Sequence, residues 1–164
     1  MTLAARAGYR VRASLLVATV LLTGCGMNPQ TSRPYTPADG VNTQVAHIKV
    51  RNVLIVANAS GAGVLSATLV SSAPDELSSV AGVAQQGDGS PAGMLTVSAK
   101  PVPVPANTPV VLTNGTPPIK VSSPALKPGL TANVVLTFKS GAQATLVAPV
   151  LDAALPEYRG LPIG

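Results

Sequence analysis

The chain has one cysteine, one histidine, one phenylalanine and no tryptophan in 164 residues. Each scarcity closes off a class of function. A lone cysteine excludes an intramolecular disulfide and a cysteine-rich metal centre. Aromatics make up 2% of the chain, too few for the stacking platforms of a single-strand nucleic-acid binder. The longest apolar run, from Ala13 to Leu22, is half of the roughly 20 residues that a membrane-spanning helix needs. Helical patterning is also missing, because Pro or paired Gly interrupts every long window of 3.6-residue apolar spacing. No Gly-x-Ser-x-Gly elbow occurs. Gly61-Ala62-Gly63 begins a dinucleotide-type glycine pattern but lacks its third glycine.

What is present is concentrated first at the N-terminus. Arg6, Arg10 and Arg12 precede and adjoin the run Ala13–Leu22, and Leu22-Thr23-Gly24-Cys25 follows. A basic segment, an apolar segment and a small residue before the cut form an export signal. The last four residues resemble the lipobox of bacterial lipoproteins. The resemblance implies cleavage between Gly24 and Cys25 and acylation of the Cys25 sulfur. The expected organisation is a signal at residues 1–24, a tether at 25–42, a folded domain at 43–150 and a tail at 151–164. The expected place is the outer face of the cell membrane. Membrane lipid is the first partner, through Cys25. An uncleaved helix and an ordinary secretory signal are the competing readings.

Removing the signal changes the charge balance. The chain carries 11 Lys+Arg and 6 Asp+Glu. Without the three signal arginines, 8 basic residues face 6 acidic ones, a net of +2. The basic pI therefore belongs mostly to the signal, and nucleic acid is not an expected partner.

Residues 26–42 are rich in Pro, Gly and small polar residues and show no periodicity, as in a semi-extended tether. From Thr43 onward, Val, Ile, Leu and Thr dominate in short segments. The expected strands are 43–50, 53–58, 64–71, 77–84, 94–99, 110–113, 119–122, 131–138 and 142–150. Turn-rich breaks separate them at 59–63, 87–89, 114–115, 127–129 and 140–141. Leu65, Ala67 and Leu69 alternate with Ser66 and Thr68, and Val134, Leu136 and Phe138 repeat the period of two. Such alternation puts one face in a core and the other in water. The expected fold is all-β, a sandwich of seven to nine short antiparallel strands, with 131–138 and 142–150 as a hairpin. Residues 151–164 read as a loosely held tail.

Pro101-Val102-Pro103-Val104-Pro105 admits two readings. As a strand, its prolines would strip every N–H from one edge and leave Val102 and Val104 to pair on the other. As a connector, it would adopt polyproline II.

The stretch Val102–Val150 carries a Pro-Ala-Asn turn at 105–107 and Leu126-Lys127-Pro128-Gly129. Val134-Val135-Leu136-Thr137-Phe138 and a closing Val147-Ala148-Pro149-Val150 complete it. It resembles the periplasmic copper(I) chaperone domain of the PCuAC type, and still more the LpqE-type bacterial lipoproteins that share it. Leu77–Val83, after Pro74-Asp75-Glu76, matches the family's early strand. The resemblance runs from Gln44 to Val150 and implies a cupredoxin-like or immunoglobulin-like sandwich. The copper chaperones hold Cu(I) with a His and Met pair and a later His-x-Met, soft ligands suited to that ion. Here the corresponding segments surround Met94 and Pro117–Ser122. Met94 has no histidine beside it, and the second segment has neither residue. His47 precedes both, and Met27 lies near the anchor. The expectation is therefore no metal and no cofactor.

His47 reads as a solvent-facing strand residue, sharing a face with Val45 and Lys49. Met94 reads as core filler. Asp88, between two glycines, reads as a turn residue rather than a calcium ligand, and Asp75 and Glu76 read as turn caps. A Ser-His-Asp triad would have to use His47. The expected function is a non-catalytic interaction or accessory module whose further partner is a cell-envelope protein. Copper handling is the alternative and an enzyme the least favoured class.

Overall fold

The computed structural model describes residues 39–163 except 114 and 116. Gly24, Cys25, Met27, the signal and most of the expected tether lie outside the described residues. Among these residues eleven strands form: β1 Val41–Val45, β2 Ile48–Ala57, β3 Ala62–Ser71, β4 Asp75–Gln85, β5 Pro91–Met94, β6 Thr96–Ser98, β7 Val102–Val104, β8 Val110–Val111, β9 Lys120–Ser122, β10 Thr131–Phe138 and β11 Gln143–Asp152. One short 3-10 helix, Pro156–Tyr158, follows.

The strands make a cupredoxin-like β-sandwich of two layers. One layer runs β6-β9-β3-β2, with β8 on β3 and β1 on β2. The other runs β5-β4-β10-β11, with β7 on β4. β11 belongs to both. It pairs antiparallel with β10 through Pro149, then parallel with β2 over Val150–Asp152. The wholly antiparallel expectation is corrected at this crossing and at an isolated parallel bridge between Ser71 and Ala106. The layers are also joined where β5 passes into β6 with only Leu95 between them.

The hairpin β10–β11 forms as its alternation predicts. Gly141, at φ +86°, takes the left-handed turn position between them. Leu65, Ala67, Leu69, Val134, Leu136 and Phe138 are all buried in one core cluster. Ser66, expected in water, is buried and hydrogen-bonded to the Thr113 hydroxyl.

The expected strand 43–50 is instead broken. Val45 pairs with Ile48, so Ala46 and His47 form a two-residue hairpin turn. Ala46 has φ +46°, the sign that the first central residue of a primed turn requires. Of the two readings for the proline run, the edge strand is the one formed: β7 pairs with β4 through Val104↔Asp75 and Val102↔Leu77. Pro101, Pro103 and Pro105 leave its other side without donors.

β2 departs from simple alternation. Val53–Ala57 are buried without interruption. Val53, Ile55 and Ala57 face the core. Leu54 and Val56 face outward with Val64 and are covered by Leu151, Ala153, Tyr158, Leu161 and Ile163. Residues 153–163 thus lie along the sandwich rather than hanging free, and the sequence boundaries at 43 and 150 fall inside β1 and β11.

Phe138 is the one phenylalanine and one of the largest fully buried side chains. Replacing it by alanine is expected to cost about 3–5 kcal/mol, the usual range for an aromatic truncated in a packed core. Urea unfolding of the chain from Asp39 onward measures this. A midpoint equal to wild type would contradict the core assignment.

Candidate functional site

The segments that the resemblance aligns with copper ligands are neighbours in space. β6 and β9 pair antiparallel through Thr96↔Ser122 and Ser98↔Lys120. Met94, at the end of β5, shares an open hollow of about 220 Å³ with Thr96, Ser122 and Ser123. Gly61 closes its far rim at φ +89°, where a Cβ would lie 2.0 Å from the Ser123 carbonyl oxygen. No other residue type fits that approach without moving the rim.

Met94 is 72% exposed, which corrects its reading as core filler. The reason is its place on a four-residue strand at the sheet's end. Leu95, the next residue, takes the core position instead. The hollow offers one thioether and several hydroxyls. The Ser60 hydroxyl already donates to Asn58 Oδ1 at 2.6 Å, and Ser123 Oγ accepts from the Ala125 N–H at 3.3 Å. Cu(I) selects thioether, thiolate and imidazole donors. One methionine among hydroxyls does not fit that ion.

His47 cannot complete the set. It contacts Asp75 at the start of β4, whereas Met94 pairs with Val83 on the same strand. Positions 75 and 83 are eight residues apart along β4, roughly 26 Å at the rise of an extended strand. No pair of rotamers spans that. Among the described residues, no group of three His, Cys, Asp or Glu side chains converges on a point.

The second cluster lies at the opposite end of β4. The β1–β2 turn delivers His47, the start of β4 delivers Asp75, and the β10–β11 turn delivers Ser140. His47 Nε2 lies 3.2 Å from Asp75 Oδ2. Both atoms are shielded from solvent and neither makes a well-aligned hydrogen bond, so the contact is electrostatic. Asp75 Oδ1 accepts from the Glu76 N–H at 2.8 Å and the Ser140 N–H at 3.2 Å. The Asp75 side chain is 2% exposed, yet it sits only shallowly below an open groove lined by Pro74, Glu76, Lys139 and Ser140. Burial by itself pushes the carboxyl up. Hydrogen bonds from Ser140 and Glu76, with the charge of His47, outweigh it and hold the carboxyl below its ordinary value.

His47 is therefore a half-buried turn residue facing an acid, not a strand residue facing water. The order of groups is also not that of a hydrolytic triad. Ser140 bonds to the acid and not to the imidazole, whereas a triad needs the imidazole between the two. Asp75 and Glu76 open β4 rather than merely ending a turn. Sequence reasoning missed the His47–Asp75 pair because the partners are 28 positions apart. The one available signal was a single histidine and an Asp-Glu pair heading a strand. Asp88 behaves as expected, accepting from the Ser90 hydroxyl and N–H at 2.7 and 2.9 Å in an exposed turn.

With this geometry in view, known structures are similar in fold. The apo PCuAC domain from PmoF1 is 17% identical with a TM-score of 0.51, covering 67% of this chain and 98% of that one. The copper-bound PCuAC domain from PmoF2 is 18% identical with a TM-score of 0.48, covering 68% and 98%. The fold is PCuAC-like; at these identities the likeness is one of architecture. No protein-family model matches the chain, and no curated protein matches it.

The lowered carboxyl of Asp75 gives a signed pH dependence. Its contribution to stability is present in full above the ordinary carboxyl value of 3.8 and is lost as pH falls through the lower folded value. Urea unfolding between pH 6 and 2.5 should therefore show a steeper acid loss for wild type than for Asp75→Asn. Parallel curves for the two proteins would remove Asp75 from the account.

Proposed function

We propose that the chain is a lipoprotein anchored through Cys25 at the outer face of the cell membrane. Its PCuAC-like domain acts as a non-catalytic interaction or accessory module. One observation carries the choice of module over chaperone. The two segments aligned with the family's copper ligands meet at one hollow, and that hollow presents Met94 with serine and threonine hydroxyls. Its other partner is a cell-envelope protein, and no cofactor or nucleic acid enters. The Leu22-Thr23-Gly24-Cys25 pattern supports the address.

Copper handling is the second reading. The fold shared with the apo PCuAC domain from PmoF1 favours it, as does an exposed thioether where the two segments meet. Copper would then be cargo held by Met94 with help from a partner, since a lone thioether does not compete for the ion by itself.

Two measurements test these statements. Cells fed a radioactive fatty acid should label the wild-type protein and leave Cys25→Ala unlabelled. A single acyl chain binds membranes weakly while two hold stably, so Cys25→Ala should also leave the membrane fraction or stay unprocessed. Equal label on both proteins would end the lipoprotein reading. For copper, the chain from Asp39 onward is titrated against a chromophoric Cu(I) chelator under reducing conditions. No stoichiometric removal of copper is expected. Removal of one equivalent, abolished by Met94→Ala, would replace the module by a copper carrier.

A further inference from the structure

The C-terminal segment covers an apolar face that the core does not use. Leu54, Val56 and Val64 point away from the core, yet are only 3%, 0% and 0% exposed. Their cover is thin. Leu151, Ala153, Tyr158, Leu161 and Ile163 pack on them, and no residue of the 153–163 segment is itself fully buried. The Ala153 N–H donates to the Ala57 carbonyl at 3.0 Å. Beyond it, among the described residues, main-chain bonds are local: Leu155 to Asp152, Tyr158 to Leu155, Arg159 to Pro156, Leu161 to Tyr158 and Ile163 to Leu161. An element with few buried contacts and local hydrogen bonds sits at the low end of local stability. The face beneath belongs to the central strands and sits at the high end.

One side-chain bond joins the segment to a distant part of the chain. The Tyr158 hydroxyl donates to Asp39 Oδ2 at 2.7 Å across 119 positions. A phenol-to-carboxylate bond is charge-assisted and stronger than a neutral one. Burial first, then the Asp39 carboxylate, pushes the Tyr158 phenol up to about 12, so it remains a donor throughout the neutral range. Asp39 immediately precedes a tight junction. The Gly40 N–H donates to Asn52 Oδ1 at 2.8 Å, and a Cβ on Gly40 would lie 2.6 Å from the Asn52 carbonyl carbon. Asn52, at φ +51°, forms the bulge where β1 and β2 slip register. The outward-facing Leu54 begins two residues later. The start of β1 and the cover of the apolar face therefore meet at the same stretch of β2.

We propose that residues 153–163 form a strap that opens independently of the sandwich, and that the Tyr158–Asp39 hydrogen bond couples its opening to loosening of Asp39 and the start of β1. The strap closed keeps Leu54, Val56 and Val64 dry and holds Asp39. The strap open exposes those three aliphatic side chains and frees Asp39. By reciprocity of linked equilibria, anything that displaces Asp39 or loosens the start of β1 changes exposure of that face, and anything that binds the face changes the hold on Asp39.

Hydrogen exchange on the full chain, read by mass spectrometry, tests both halves. In wild type, amides of 153–163 should exchange faster than those of β2 and β3. Tyr158→Phe removes the donor and keeps the ring. It should speed exchange of both 153–163 and 40–45 by about three- to tenfold, the span of one lost hydrogen bond, and leave β3, β4 and β10 unchanged. Asp39→Ala should give the same pattern, and the double variant should add nothing to either single change. Acceleration of 153–163 without 40–45 would overturn the coupling. Equal acceleration of every strand, or no change anywhere, would overturn the strap.

Discussion

β11 changes partners in mid-strand, and the relation of the two layers depends on that crossing. Through Pro149 it belongs to the β10 side; from Val150 it lies parallel to β2. Pro149 stands where the partner changes, and it has no N–H to leave unpaired there. Val150 anchors the crossing by exchanging main-chain bonds with Leu130 and Gly129. The described domain contains no cysteine and a single phenylalanine. No disulfide spans the layers, so shared strands and aliphatic packing hold them in register. That packing is tight in the sense that substitution by even one methylene is felt.

From this frame follows the separation of the two clusters. β4 is paired over Leu77–Ala84 on one side with β10, and on the other with β7 at its start and β5 at its end. It acts as a rigid rule between Asp75 and Val83. The His47 end gathers two hairpin turns around the carboxylate that opens β4. The Met94 end gathers two strand termini around hydroxyls. No side-chain motion merges them, because the strand that separates them is part of both ladders. Chemistry requiring an imidazole and a thioether at one point is therefore outside what this backbone offers among the described residues.

How much of this was legible in the sequence depended on whether the signal was local. The alternation in 131–138 and 64–71 was local and specified six core residues. The hairpin turn at 139–141 was legible because Gly141 supplies the left-handed position. The turn at Ala46-His47 was not. Val45-Ala46-His47-Ile48 contains no Gly, Asn or Asp, and it reads as continuous strand until tertiary pairing imposes a positive φ on Ala46. The parallel β11–β2 pairing and the His47–Asp75 contact join distant segments, and nothing in either segment announces the other. Met94 was misread for a different reason. A methionine between strand-forming residues suits a core by composition, but its four-residue strand ends the layer.

The strand with five apolar side chains buried in a row was itself informative. Five buried residues in a row on β2 cannot occur in a sandwich layer whose outer side is wet. The apolar run Val53-Leu54-Ile55-Val56-Ala57 therefore demands a second cover, and the chain supplies one from the residues after β11. Their own sequence looks like a tail because they need only half-bury: Leu161 and Ile163 touch the face on one side and water on the other. Composition read segment by segment classes Leu151–Ile163 as weakly ordered and Val53–Ala57 as an ordinary buried strand. Read together, the excess burial of one and the scattered aliphatics of the other are two halves of one interface. Asp39 and Tyr158 lie at its margin, where the hydrogen bond between them is open to water.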